Sequence, residues 1–277
     1  MRTSPVIFLS LLFIFTVCTD EKNTIIPTES ANERFAESMQ WNAQHPYREI
    51  ILTMDDYTIL SIADCHVGST KNLDQLFIVA KNTNSSAIVL VGDLTTGDSQ
   101  DYEEFVKHLP PKDTLPLFFI AGNHDEFYSG WKEFYNRFGS STYYFSVKTP
   151  HATDYFICLE TGGATLGDEQ LQWLEENLKS KREDYRHCFI FTHNNLLRAH
   201  HTLSTTPLAE EVVTLVQLFT KYHVGIVITG HDHLQDDRLF GITRYIQLDA
   251  FSDENRNAGY LRLNINNGMI SYSFESI

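Results

Sequence analysis

Positive charge is scarce in this chain. Its 277 residues include 21 lysines and arginines against 36 aspartates and glutamates, a formal net charge of −15, and the basic residues form no run. A nucleic-acid partner is therefore not expected, because no basic patch is present to displace counterions from a phosphate backbone. Acidity of this kind disfavours polyanions more than small anionic ligands. Cysteine is scarce too, with four residues. Setting aside Cys18 leaves Cys65, Cys158 and Cys188, an odd number, with two of them inside the apolar runs YFICLE and HCFIFT. Free buried thiols are expected rather than a disulfide framework. A Cys158–Cys188 bridge would need neighbouring strands in matching register. Internal repeats, heptads and low-complexity linkers are absent, which excludes solenoids and coiled coils. The apolar stretch from Val6 to Val17 is too short to span a bilayer.

That stretch follows Arg2 and ends at Cys18, after which come Thr19, Asp20, Glu21 and Lys22. A positive start, a short apolar centre and a polar exit mark residues 1–17 as a signal peptide outside the fold. The junction resembles a bacterial lipoprotein signal, although Phe15 and Val17 stand where aliphatic and small residues are usual. The resemblance implies an exported protein, anchored by lipid at Cys18 to a membrane of the bacterial envelope, periplasmic or at the cell surface. Residues 18–47 read as a tether and polar lead-in, with a short helix around Glu33–Trp41. One globular domain is expected over 48–277, with no room for a second.

Five apolar runs in that domain end in metal-donor residues: ILSIADCH, AIVLVGD, LPLFFIAGNHD, HCFIFTH and GIVITGHDH. Their length and their β-branched and aromatic content make each a buried strand. The donors just past them are Asp64, His66, Asp93, Asn123, His124, His193, His231 and His233. Carboxylate, amide and imidazole groups suit Zn, Mn, Fe and similar divalent ions. Open α/β folds bind ligands at the carboxyl ends of strands, so converging ends would bring these side chains into one pocket. In an extended segment residues i and i+2 point the same way. Asp64 and His66 can then grip one ion while Cys65 points elsewhere, and Asp232 points away from His231 and His233.

The order Asp-x-His, Gly-Asp, Gly-Asn-His-Asp, His, Gly-His-x-His resembles the calcineurin-like metallophosphoesterases, from about Ile59 to Asp249. The resemblance implies an α/β fold with two stacked mixed β-sheets flanked by helices, an αββα sandwich. It also implies two divalent metal ions, Mn, Zn or Fe. Asp64, His66, Asp93 and His233 would hold the first ion. Asp93, Asn123, His193 and His231 would hold the second, with Asp93 bridging. His124 would stand over the substrate as a non-ligand. Dividing His231 and His233 between two ions requires a bend, which Gly230 permits.

The chemistry accounts for the residue types. Two ions about 3.5–4 Å apart clamp phosphoryl oxygens, generate hydroxide at neutral pH and stabilise in-line displacement. Asp93 offers one oxygen to each ion. Asn123 supplies a neutral carbonyl, which limits the negative charge facing an anionic substrate. His124 could protonate the departing alkoxide or hydrogen-bond the phosphoryl group. Asp125 or Asp98 could orient His124; the spacing leaves both open, and a turn-capping role for Asp125 as well.

Around these motifs the pattern alternates. Strands are expected at Ile50–Met54, Thr58–Ala63 and Ala87–Val91, with a strand pair at Thr142–Val147 and Tyr155–Leu159. Helices are expected at Asn72–Lys81, Asp101–His108, Trp131–Phe138, Asp168–Leu178 with Asp168 as its cap, and Leu208–Tyr222. A run of β follows at Arg244–Leu248, Tyr260–Asn264 and Ile270–Phe274, the last two joined by a turn at Asn266-Asn267-Gly268. The loops Leu94–Tyr102 and Asn194–Thr205 could set substrate choice. In the second, Arg198 reads either as a binder of a second phosphate or carboxylate or as part of a solvated loop that includes His200 and His201. Tyr128, Trp131 and Tyr143 either stack on a nucleobase or aromatic leaving group or pack in the core.

No arginine follows Gly92-Asp93 as in protein serine/threonine phosphatases, and no insertion could form a nuclease cap. Asn194-Asn195 stands where many relatives have a proline nearby. The expected substrate is a small phosphorylated molecule: a monoester, a diester or a pyrophosphate. The competing class is a non-catalytic surface lipoprotein that binds a phosphorylated ligand through the metal site. Retention of Asn123 and His124 favours catalysis. No feature of the sequence sets an oligomeric state.

Overall fold

The computed structural model describes residues 28–67, 70–112, 114–198 and 205–277. The signal peptide, Cys18, His200 and His201 lie outside the described residues.

The first sheet is built on three parallel strands, β2 (Tyr57–Ile62), β3 (Ala87–Val91) and β4 (Leu117–Ile120). Every residue of β3 is buried, because helices cover one face and a second sheet the other. Such a strand is an unbroken apolar run rather than an alternation. The hairpin of β11 (Gly259–Asn266) and β12 (Met269–Ser276) joins antiparallel to β2, giving the order β12-β11-β2-β3-β4. The second sheet has a parallel centre of β6 (Thr153–Leu159), β7 (Cys188–Thr192), β8 (Ile226–Thr229) and β10 (Thr243–Gln247). On one side β5 (Tyr143–Lys148) pairs antiparallel with β6 and carries β1 (Glu49–Ile51); on the other, β9 (Asp236–Phe240) pairs antiparallel with β10.

The sheets meet face to face. Ile59, Val89, Val91 and Ile120 from the first pack against Phe145, Phe156, Phe189, Phe191 and Ile228 from the second. Helices α2 (Lys71–Asn82), α3 (Ser99–His108) and α4 (Gly130–Phe138) cover the outer face of the first sheet. Helices α5 (Gly167–Lys181) and α6 (Ala209–Lys221) cover that of the second. The result is the expected αββα sandwich.

Three expectations change. β9 has no signal in the sequence: DDRLF is almost wholly exposed, and an edge strand without a buried face leaves no apolar alternation to read. Asp168 does not cap α5. Leu166 holds the N-cap position, and Asp168 sits in the first turn, where its charge meets the positive end of the helix dipole. The third change concerns the polar lead-in. Helix α1 (Ala31–Gln44) is longer than the helix expected there and opens with a capping box between Ser30 and Glu33. It is packed into the domain: Arg34, Phe35 and Ser38 are buried. Asn42 Nδ2 donates to Thr142 O at 2.8 Å, and Trp131 Nε1 donates to Glu37 Oε2 at 2.5 Å. Among the described residues, packed structure thus extends upstream of Arg48 to at least Ser30. Hydropathy conceals this, because two of the three buried residues are polar.

Cys65, Cys158 and Cys188 are free and buried. β6 and β7 are neighbours, but their register sets Cys158 opposite Phe191 and Cys188 opposite Tyr155.

Candidate metal centre

The carboxyl ends of β2, β3, β4, β7 and β8 come together at one edge of the sandwich. Pairing continues past the strands: Asp64 N donates to Gly92 O, His66 N to Asp93 O, and Gly230 N to His193 O, at 2.9–3.0 Å. Phe251 N donates to Ala63 O at 2.9 Å, and a parallel bridge joins Ala63 to Ala250, tying the two sheets at the same edge.

The donors are turned inward by an uncommon backbone. Asp64 (φ 57°), His66 (41°), Asp93 (52°), His231 (78°) and His233 (51°) all lie in the left-handed region. Non-glycine residues seldom adopt it, and each instance costs on the order of 1–3 kcal/mol unless the surroundings enforce it. Asp64 and His66 therefore share a face through two left-handed residues, and not through the simple strand alternation expected. Cys65 does point away, into the cluster beneath α2. The bend expected of Gly230 sits instead in His231 and His233. Gly230 is required for space, since a Cβ there would lie 2.5 Å from Ala63 Cβ and 2.6 Å from Asp64 Oδ2. Gly92 needs both freedoms. Its φ is +85°, and a Cβ would lie 2.4 Å from His193 Nδ1.

Two donor groups result. In the first, His66 Nε2 is 2.9 Å from His233 Nε2, and Asp64 Oδ1 is 3.3 Å from His233 Nε2 and 3.8 Å from His66 Nε2. In the second, Asp93 Oδ1 and Asn123 Oδ1 lie 3.3 and 3.2 Å from His193 Nε2, with His231 beside them. Asp93 faces both groups, its Oδ2 being 3.7 Å from His66 Nε2. These are the separations of ligands gathered around a common cation. Asp64 Oδ1 is fully buried and has no hydrogen-bond donor, so this anionic oxygen calls for a cation. The residues present fit divalent metals.

Outer contacts set which nitrogen each imidazole offers. His193 Nδ1 donates to Val91 O at 2.9 Å, leaving Nε2 for a metal. His231 Nε2 donates to Thr205 O at 2.8 Å, leaving Nδ1. Burial opposes charge on His193, yet Asp93 outweighs it and the ring is pushed up to about 10. Asp93 is held low by His193 against its own burial. Burial, then the neighbouring His193, pushes His231 down to about 4. In this balance a proton on His193 supplies the positive charge that a cation supplies when bound.

His124 lies on a 3-10 turn, His124–Glu126, directly after Asn123. Its Nε2 is 4.0 Å from Asp93 Oδ2, and its ring packs 4.6 Å from those of His66 and Phe127. Neither carboxylate expected to orient it does so. Asp98 caps α3 by accepting from Gln100 N. Asp125, fully buried, accepts from Leu94 N, Thr95 N and Gly122 N at 3.0–3.1 Å. It clamps the Asp93 loop to the Asn123 loop, and burial followed by the charge of Asp93 pushes its carboxyl up.

Arg198 belongs to the site's edge and not to a solvated loop. Its Nη2 is 2.6 Å from Asp232 Oδ1, and its Nη1 is 3.4 Å from His231 Nε2. Asn195 Nδ2 donates to Asp232 Oδ2 at 3.1 Å. Of the asparagine pair that departs from the usual pattern, Asn195 thus braces Asp232 and, through it, Arg198, while Asn194 Nδ2 donates to Thr161 O. Of the three aromatic candidates, Trp131 is fully buried, Tyr143 donates its hydroxyl to Phe119 O, and Tyr128 remains 38% exposed beside the His124 turn.

The fold and the donor set define the class: a metal-dependent phosphoesterase. The model of the calcineurin-like phosphoesterases matches residues 57–235, and the chain belongs to that family. It is 26% identical over 188 residues to the probable cyclic nucleotide phosphodiesterase of Fibrobacter succinogenes, covering 62% of this chain and 71% of that one. A dimetal phosphatase from Danio rerio has the same fold, with a TM-score of 0.63 and 13% identity over 79% of this chain and 96% of that one. So does GAP50, the anchor in the inner membrane complex of Plasmodium, with a TM-score of 0.61 and 14% identity over 80% of this chain and 84% of that one.

Proposed function

We propose that the protein hydrolyses small phosphate esters with the help of two divalent ions, which the two donor groups would hold and Asp93, facing both, would share. The observation that carries this reading is that Asp93 turns one oxygen to each donor group, Oδ1 to His193 Nε2 at 3.3 Å and Oδ2 to His66 Nε2 at 3.7 Å. Asp64, His66 and His233 complete the first set; Asn123, His193 and His231 complete the second. Two such ions, when bound, activate water at neutral pH and offset the charge on phosphoryl oxygens. His124, more open than the other donors except His233, donates a proton from Nε2 to the departing oxygen. The rings of His66 and Phe127 restrict how far it turns. Arg198, held by Asp232, places a positive charge beside His231 that favours an anionic substrate. Val91 O and Thr205 O fix the tautomers of His193 and His231.

The Fibrobacter relative supports a phosphodiester, cyclic nucleotides included, as the substrate class. Tyr128, exposed next to the turn of His124, suits a flat leaving group. The leader reading completes the proposal: an exported lipoprotein held to an envelope membrane through Cys18. A lipid on Cys18, detected by mass spectrometry of the mature N-terminus, supports the anchor, and an unmodified N-terminus removes it.

The test is an assay of the mature protein, loaded with Mn²⁺ or Zn²⁺, on aryl phosphate monoesters, aryl phosphate diesters and a cyclic nucleotide. Turnover abolished by chelation and restored by metal is expected. A metal-loaded protein inert on all three would favour the competing reading of a non-catalytic binder.

A further inference from the structure

We propose that Arg34 is a positioning residue for the reaction, holding the turn that carries His124. Helix α1 would then belong to the catalytic apparatus, although it lies upstream of the residues matched to the family. The inference rests on the role given above to His124.

Arg34 is 2% exposed and reaches three groups. Its Nε donates to Glu160 Oε2 at 2.9 Å, its Nη2 lies 3.2 Å from Glu126 Oε2, and its Nη1 donates to Glu29 O. Glu126 ends the 3-10 turn that His124 begins. It is fully buried, and neither carboxylate oxygen accepts a hydrogen bond. Arg34 is the cation beside it, opposing the burial and the Glu160 carboxylate that push this carboxyl well up. The space for that carboxylate is made by Gly162, where a Cβ would lie 2.2 Å from Glu126 Oε1.

The other arm braces the opposite side of the site. Glu160 follows β6, and the next residue, Thr161, accepts through Oγ1 from Asn194 N at 3.0 Å, beside His193. One guanidinium therefore links the His124 turn to the segment supporting the His193 loop. Two carboxylates share a single cation, all three being 2% exposed or less. Burial, then Glu160, already pushes the Glu126 carboxyl well up, with Arg34 opposing, and removing the cation leaves two buried carboxyl groups without their common donor, an arrangement relieved if Glu126 moves away. Such a movement shifts His124, two residues earlier. Most donors lie on other strand ends, so metal binding should persist. The planar fork of arginine spans both carboxylates, whereas lysine offers one point charge.

The experiment uses the full mature chain and compares wild type, Arg34→Met, Arg34→Lys, Glu126→Gln, the double variant Arg34→Met/Glu126→Gln, and His124→Ala. Metal content, kcat and KM are measured on two esters, one with an alkyl leaving group and one with an acidic phenol. Arg34→Met should keep both metals and a near-normal KM. It should lose kcat roughly 10²-fold on the alkyl ester, the size of effect expected from about 1 Å of misplacement, and far less on the aryl ester. The double variant should recover most of the loss, because the substituted amide can donate to Glu160 in the guanidinium's place. Should Arg34→Met fail to fold, Arg34→Lys and Glu126→Gln should show the same substrate pattern more weakly. Normal kinetics in both would overturn the proposal. So would loss of a metal equivalent, or a double variant that recovers nothing. His124→Ala separates the two readings. If it loses both esters equally, the acid role of His124 falls. The positioning role still stands if Arg34→Met reproduces that pattern, and falls if it does not.

Discussion

Asp125 and His124 are sequence neighbours with opposite tasks, and substitution should separate them. Asp125 accepts three backbone N–H groups from the two loops that carry Asp93 and Asn123. An asparagine there would turn an amide donor toward donors. Each buried N–H left without its acceptor costs about 1–3 kcal/mol. Asp125→Asn should therefore lower Tm by many degrees and weaken metal binding, as read by thermal melts and metal titration; an unchanged Tm would contradict the clamp. His124→Ala should leave Tm and metal content alone. It should slow hydrolysis of esters of poorly acidic alcohols by roughly 10²–10⁴-fold, and spare an aryl ester whose phenol leaves unprotonated. A lost metal would instead make His124 a ligand. The donors themselves were legible in the sequence because each is a metal-binding side chain at a strand end. The clamp was not, because it rests on three main-chain N–H groups, which no residue type announces, although Thr95 Oγ1 and Tyr102 OH also donate to Asp125.

At the scale of elements, the site depends on how closely strand ends approach. Gly230 lets the end of β8 lie against that of β2, its missing Cβ leaving room for Ala63 and Asp64. Gly230→Ala should force these ends apart, costing about 1–3 kcal/mol and weakening metal affinity most, since Asp64 is the residue displaced. A metal titration matching wild type would contradict this account. Strands buried on both faces, such as β3 and β7, could be read directly from unbroken apolar runs. β9 could not, because an exposed edge carries no burial pattern. Nor could the docking of α1, whose buried face centres on a charged residue; a buried arginine looks like a surface one until its two glutamates are brought to it by folding. The left-handed ligands were also hidden, since nothing in Asp-x-His distinguishes an extended pair from two tight turns.

Over the whole molecule, the three thiols report on the integrity of the sandwich. Cys65 lies beneath α2, Cys158 between the sheets and Cys188 beneath α6. Burial pushes all three thiols up, Cys188 to about 12, and the thiolate is the reactive form. Alkylation followed by mass spectrometry should find them unmodified in the native protein and fully modified in denaturant. Rapid native labelling of Cys158 would mean that the sheets part readily. The two-sheet architecture was legible from the alternation of strands and helices followed by β.

The central claim is that Asp93 joins two metals, and elemental analysis of purified wild type and Asp93→Ala tests it most directly. Wild type should hold two equivalents of divalent metal, and Asp93→Ala should be depleted at both sites with turnover near background. Two full equivalents in Asp93→Ala, or a single equivalent in saturated wild type, would contradict the account.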